Sequence, residues 1–214
     1  SVTEDDSVLT VSNINFEDNP DYYMPPGVNR EEDKTQTEES ILKNEQSMLL
    51  IIKDLMDGQK REVIKNMGRP LNVFNYRKMK MFVHGDLDST KAGSLSKKDA
   101  AEVYLRFGND TLNYYEYRKS IAPGWSEISI DFNDLTAIKQ DPERKDPQKY
   151  FSSPVKGLPE ERYGILGNPS LRNIDVFIIG IENPKNKGVL NQTVSGDLWV
   201  NELRVVQADD RKGH

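Results

Sequence analysis

The chain has 214 residues, a formal net charge of −6 and no cysteine, and its mean hydropathy is −0.72. Without cysteine it has no disulfide, thiolate nucleophile or cysteine-bound zinc, and its weakly acidic balance argues against a broad surface for nucleic acid or anionic lipid. No window approaches the run of about 18 apolar residues that predicts a transmembrane helix.

The first 45 residues are the most acidic part of the chain. They hold 12 acidic and 3 basic side chains, whereas the rest carries a net charge of +3. A polar, proline-containing segment of this kind buries too little apolar surface to offset the entropy of ordering it. We therefore predict an acidic extended arm or linker at 1–45, in which the apolar residues of 8–16 are able to add one edge strand. The chain begins at Ser1 rather than Met, which indicates a mature product or an excised segment.

The segment 41–56 is ambiguous. Leu49, Ile52 and Leu55 fit a helical stripe, but β-branched residues and the following Asp57-Gly58 favour a strand that turns into a second strand as a hairpin. The spacing by itself leaves helix and strand open.

Beyond this segment, apolar residues recur mostly at every second position, which is typical of strands with one buried face. Ile128 and Ile130 share one face, for example, while Glu127 and Ser129 share the other. The run 174–181 is apolar on both faces and predicts a central strand. Eight strands are predicted in all, at 46–55, 61–66, 78–84, 101–107, 112–118, 125–132, 174–182 and 197–206.

Eight short antiparallel strands predict an all-β fold, a two-sheet antiparallel jelly-roll-like sandwich at 46–208 with the acidic extended N-terminal arm before it. The interval 133–173 holds five prolines and is predicted to be a long loop, with one helical turn near 135–140. Residues 209–214 are predicted to be a tail.

No pattern in the sequence predicts catalysis. Nucleotide, zinc-protease, serine-hydrolase and calcium-loop motifs are absent, and we assign no catalytic, cofactor-binding or metal-binding residue, which predicts that the chain is not an enzyme. Asp86 and Asp88 alternate in a loop, but such pairs are common without calcium. His84, which is the single internal histidine, is expected to pack or to form a hydrogen bond.

Four aromatic residues are candidates for binding a partner or a sugar. Tyr104, Tyr115, Tyr117 and Trp125 lie on or near adjacent predicted strands, and outward rings of this kind stack on sugars or on partner side chains. The alternative is that these rings cover the sheet or pack beneath loops.

Ordered segments of the chain resemble the SprA/Sov family, the very large outer-membrane translocon proteins of the type IX secretion system, which are also linked to gliding motility. The resemblance extends from about residue 14 almost to the end of the chain. It has one departure, at 124–127, where Gly-Trp-Ser-Glu stands in place of the Trp-Pro-acidic sequence associated with many members. The matching segments are PDYYMPPGVNRE (20–31), NEQS (44–47), LMDGQKREVIKN (55–66), YRKMKMFVHGD (76–86), VYLRFGND (103–110), NYYEYR (113–118), GNPSLRNI (167–174), IGIENPK (179–185) and DLWVNELRV (197–205).

The resemblance implies a strand for the ambiguous segment and a piece of a translocon. Outward positions of the predicted strands carry the charged residues Lys80, Arg106, Glu116, Arg118 and Glu127, unlike lipid-facing strands. We therefore expect a soluble insertion that does not itself span the membrane. The resemblance also implies a non-catalytic structural and interaction domain that contributes to protein export and gliding motility. Other outer-membrane subunits and exported proteins would be its partners, on the cell surface or in the periplasm. The alternative function is a carbohydrate-binding module at the cell surface.

Overall fold

The computed structural model describes residues 8–13, 38–40, 48–184, 192–201 and 203–207. Within the predicted arm it describes the backbone of two short strands. The rest of the arm and the predicted tail at 209–214 lie outside the described residues.

The alternating segments of the sequence form strands. Thirteen strands are described, together with a helix α1 at Phe132–Ala137 and a 3-10 turn at Ile138–Gln140. The strands are β1 (Val8–Asn13), β2 (Glu38–Ser40), β3 (Met48–Leu55), β4 (Lys60–Leu71), β5 (Tyr76–Gly85), β6 (Glu102–Asp110), β7 (Asn113–Ser120), β8 (Gly124–Asp131), β9 (Phe151–Val155), β10 (Leu158–Leu166), β11 (Ile174–Glu182), β12 (Val194–Val200) and β13 (Arg204–Gln207).

The strands form two antiparallel sheets. Sheet A follows the order β1-β3-β12-β5-β13-β2, and β8 pairs with the other side of β5. Sheet B follows the order β4-β11-β6-β7-β10-β9. The prediction of an all-β, two-sheet antiparallel sandwich is therefore confirmed.

The core lies between the sheets and contains the side chains that the period of two placed inward. Met79, Met81 and Val83 of sheet A belong to the same buried cluster as Val103 and Leu105 of sheet B. The strand β11 is buried on both faces, as predicted, because Ile179 and Ile181 face this core while Val176 and Ile178 form a second cluster with Tyr104 on the opposite face.

The segment around Asp57-Gly58 joins two strands, as predicted, but the predicted hairpin is wrong. The strand before this turn pairs in sheet A and the strand after it pairs with β11 in sheet B. Asn183 holds the crossing in place, since its side-chain amide donates to the Leu55 carbonyl at 3.0 Å and its backbone carbonyl accepts from the Gly58 N–H at 2.8 Å. Leu55, the last residue of the first strand, is fully buried in the core between the sheets, and the chain crosses from one sheet to the other directly after it.

The prediction of a long loop at 133–173 is also wrong. This interval contains most of α1, the 3-10 turn and the strands β9 and β10, which pair with each other. Pro154 is tolerated in β9 because that strand lies at the edge of sheet B. The predicted helical turn near 135–140 is confirmed.

The predicted strand at 197–206 is interrupted. Its first half, β12, pairs with the end of β5 at Val83–Gly85, and its second half, β13, pairs with the beginning of β5. Between them, the Asn201 N–H donates to the Phe82 carbonyl at 2.8 Å.

Candidate interaction surfaces

Two of the four candidate aromatic residues lie in the core. Tyr115 is 2% exposed and Tyr117 is 1% exposed, and both belong to the cluster between the sheets. The hydroxyl of Tyr117 donates to Glu161, and burial raises the pKa of Tyr115 to about 12. These two rings are therefore inaccessible to a sugar or a partner in this structure.

Tyr104 lies on the outer face of sheet B, away from the core between the sheets. It faces away from the main core together with Arg106, and its ring is nevertheless fully buried. The guanidinium carbon of Arg106 lies 4.5 Å from the ring centroid and that of Arg118 lies 4.7 Å from it. The Tyr104 hydroxyl donates to Glu62 at 2.6 Å, so the ring is covered by cations and its polar end is satisfied.

A buried carboxylate joins the two arginines. Glu116 lies directly opposite Arg106 in the β6–β7 register and is fully buried. It accepts a hydrogen bond from Arg106 Nε at 2.7 Å and one from Arg118 Nε at 3.0 Å. Tyr150 also donates to it, at 2.5 Å. We call Tyr104, Arg106, Glu116 and Arg118 the arginine–tyrosine cluster.

The electrostatics of this cluster favour its charged state. Burial on its own raises the pKa of the Glu116 carboxyl, but the hydrogen bond and charge of Arg118 and the charge of Arg106 outweigh burial, so the pKa lies below its usual value. Arg118 also pairs with Glu102 and Glu182 at the rim. The cluster is thus a cross-linked array in which each arginine holds at least two acidic partners.

Two glycines make room for tyrosines on this face. A Cβ at Gly180 would overlap the ring of Tyr104, and a Cβ at Gly164 would overlap the ring of Tyr150. Both glycines lie in inner strands of the sheet. The tyrosine rings therefore lie against bare backbone rather than standing away from the sheet.

The fourth candidate, Trp125, belongs to an aromatic row on the outer face of sheet A. Trp125 lies opposite His84 in the β5–β8 pairing, and His84 lies opposite Trp199 in the β5–β12 pairing. The imidazole stacks on Trp199 with centroids 4.1 Å apart and an interplanar angle of 13°, and meets Trp125 edge-on at 5.1 Å. We call Trp125, His84 and Trp199 the aromatic row.

His84 is the buried centre of this row, at 3% exposure, while both indoles are half-buried. Burial is the main cause that lowers the pKa of His84, and a hydrogen bond with backbone opposes it. The expectation that His84 packs is consistent with this stacked position. The row places one of the two tryptophans on each side of the imidazole.

The loop carboxylates near the end of β5 are engaged in hydrogen bonds. Asp88 accepts from the Thr90 hydroxyl at 2.7 Å, and Asp86 accepts from the Asp197 N–H at 3.1 Å. Burial raises the pKa of Asp86. Within the part of the chain that the structure describes, no three acidic or histidine side chains are grouped as ligands for a metal ion.

The sequence prediction of four candidate rings does not correspond to one surface. It missed Trp199 and the arginine–tyrosine cluster, although it placed Arg106, Glu116 and Arg118 outward. The signal for the cluster was the tight β6–β7 hairpin, whose register sets Arg106 opposite Glu116 and Tyr104 opposite Arg118. No comparable local signal brings Trp199 beside His84, because more than a hundred residues separate them.

Comparison with known proteins gives one family. The profile of the SprA_N family, described as motility related/secretion protein, matches residues 1–214. A search of the curated proteins finds no match. None of the helices among the described residues has the length and apolar content needed to cross a membrane.

Proposed function

The chain belongs to the SprA_N family of motility-related and secretion proteins, and on that premise we propose that it is a non-catalytic structural and interaction domain of a secretion translocon. The translocon would be the outer-membrane component of type IX secretion, with a role in protein export and gliding motility. The domain would lie on the cell surface or in the periplasm. Its partners would be other outer-membrane subunits and exported proteins.

The observation that carries this proposal is the organisation of the outer face of sheet B. In a two-layer sandwich an outer sheet face is normally solvated, yet here the fully buried side chains Tyr104 and Glu116 lie on it. Charged side chains are almost never fully buried unless paired, and the pairing here is complete and cross-linked. A face held in this way is pre-organised, which lowers the entropy that binding a partner costs.

The experiment that tests the proposal removes the folded domain from the full-length protein in cells. Ile130 is fully buried in the core, so Ile130→Asp places an unpaired charge there and should unfold the domain, whereas Ile130→Val is the matched control. We expect Ile130→Asp to reduce protein export and gliding, with Ile130→Val close to the parent. The outer-membrane level of the full-length protein is measured in parallel to separate loss of function from degradation.

Normal export and gliding with the unfolded domain, at an unchanged level of the full-length protein, would overturn the proposal. The carbohydrate-binding alternative predicts a different result. In that case the immobilised 214-residue chain would retain envelope material that a soluble oligosaccharide releases. Capture of secretion-system subunits that is insensitive to sugars supports the interaction domain.

A further inference from the structure

The aromatic row lies beside the point at which the first described strand ends. Trp199 is opposite Leu49 in the β12–β3 pairing, and Leu49 is opposite Ser12 in the β3–β1 pairing. The line of directly opposite residues that contains the aromatic row therefore reaches β1 at Ser12. The strand β1 ends one residue later, at Asn13. The chain leaves β1 at the level of the aromatic row.

Basic side chains lie next to the aromatic row on the same outer face of sheet A. Lys80 and Lys78 alternate with core residues of β5, and Arg204 lies opposite Lys80 in β13. Arg204 also lies opposite Ser40 of β2, and its guanidinium carbon is 5.6 Å from the ring centroid of Phe82. The basic positions are thus on the β2 side of the face.

Two carboxylates share this face on the far side of β5, at the β8 edge. Glu127 lies opposite Phe82 and Asp131 lies opposite Lys78. Asp131 accepts hydrogen bonds from the backbone N–H groups at the start of α1. The face therefore has the aromatic row at the level where β1 ends and basic positions beside β2. Its acidic positions are those two on β8, Asp197 two residues before Trp199 on β12 and, by register with Val206, Glu38 on β2.

The segment between β1 and β2 matches this face in sequence. Residues 14–37 lie outside the described residues, but their sequence contains six acidic and two basic side chains, together with Phe16, Tyr22 and Tyr23. An extended chain of this length reaches about 80 Å, whereas the four strands that carry the face are about 15 Å across. Length therefore places no restriction on contact between the segment and the face.

We propose that the outer face of sheet A is the docking site for residues 14–37 of the same chain. Aromatic side chains of the segment would contact the aromatic row, because ring pairs gain energy beyond area burial, and its carboxylates would pair with the lysines and Arg204. The strands β1 and β2 hold both ends of the segment on sheet A, so docking is intramolecular and benefits from a high effective concentration. This inference does not rest on the proposed function.

The chain carries its own reporter for this contact. Its two tryptophans are Trp125 and Trp199, so intrinsic tryptophan fluorescence reports on the aromatic row alone. In the full chain, Tyr22→Ala with Tyr23→Ala should shift the emission to longer wavelength and raise acrylamide quenching. Each indole can bury about 200 Å², and we expect the quenching constant to rise about twofold. Tyr22→Phe with Tyr23→Phe keeps the rings and should match the parent.

A second variant tests the electrostatic part of the proposal. Lys80→Glu reverses a half-buried charge on the face and should raise quenching as the alanine pair does, with high salt producing the same change in the parent. Unchanged quenching in both the alanine pair and Lys80→Glu would overturn the proposal. A quenching constant that depends on protein concentration would also overturn it, because a second copy of the chain would then be the occupant.

Discussion

Tyr104 and Gly180 occupy directly opposite positions on β6 and β11, and the tyrosine ring fills the space in which any other residue at 180 would carry its side chain. Replacing Gly180 by Ala should therefore cost about 1–3 kcal/mol of unfolding free energy, as overpacking typically does. Chemical denaturation measures the difference. Gly68→Ala on β4 of the same sheet is the control, since apart from its chain neighbours no described residue lies within 4 Å of its Cβ position.

The Gly180 prediction has an internal check. In a Tyr104→Ala background the added methyl group has no ring to displace, so Gly180→Ala should then be nearly neutral. An equal loss in both backgrounds would contradict the packing explanation.

Replacing Glu116 by Gln should destabilise the domain by about 3 kcal/mol, because the buried arginines Arg106 and Arg118 each lose one of their carboxylate partners. The pKa of Glu116 is lowered in the folded state from 4.5. Its contribution is therefore present above about pH 4.5 and is lost as the pH falls through the lower folded-state value. Denaturation at several acidic pH values should show a smaller pH dependence for Glu116→Gln than for the parent.

Glu160→Gln is the matched control for that experiment, because Glu160 is exposed on β10 of the same sheet. It should leave both stability and its pH dependence close to the parent. A Glu116→Gln variant as stable as Glu160→Gln would show that the cluster contributes little to the fold.

Acidification should also act through His84. Its folded-state pKa is lowered from 6.5 by burial, so the unfolded chain binds the proton more strongly, and stability falls as the pH drops through about 6.5. A His84→Gln variant should lose this component of the melting temperature profile. The profile is measured from about pH 8 to about pH 5, and an identical slope in the variant would contradict the assignment to His84.

Tyr117→Ala should cost about 3–5 kcal/mol, as truncation of a buried aromatic ring does, and Tyr115→Ala should behave similarly. If either ring were part of an exposed sugar platform, its loss would instead abolish sugar retention at unchanged stability. Thermal melting and oligosaccharide binding of the same variants distinguish these results. Tyr115→Phe keeps the buried ring and is the control.

The parts of the fold that the sequence predicted are those in which one buried face repeats every second residue. Ile128 and Ile130 on β8 are an example, as is the doubly buried β11. The hairpin β9–β10 was missed because the prolines of this interval are normally strand breakers, and Pro154 is allowed by an edge position that sequence alone does not reveal. The Asp57-Gly58 turn was assigned to the wrong pairing for a related reason, since local turn residues do not specify which sheet the next strand joins.

The candidate surfaces were predicted less well because they depend on long-range register. The alternating pattern can place a ring on an outer face. It cannot show that two guanidiniums lie 4.5 and 4.7 Å from the ring centroid of Tyr104, or that an imidazole lies between two indoles. Tyr115 and Tyr117 were misjudged for a simpler reason. A tyrosine fits a core position as well as a surface position when its hydroxyl group has a hydrogen-bond partner. The hydroxyl of Tyr117 has such a partner in Glu161.

The interruption between β12 and β13 has a mechanical consequence. The two halves of this last segment are bound to different halves of β5, so tension applied at the C-terminal end is borne first by the few ladder hydrogen bonds of β13. These hydrogen bonds can break one after another while β12 remains paired with β3 and β5. Detachment of this end would also remove Leu203 and Val205 from the core, so the resistance of β13 to tension comes from its ladder and from these two side chains together.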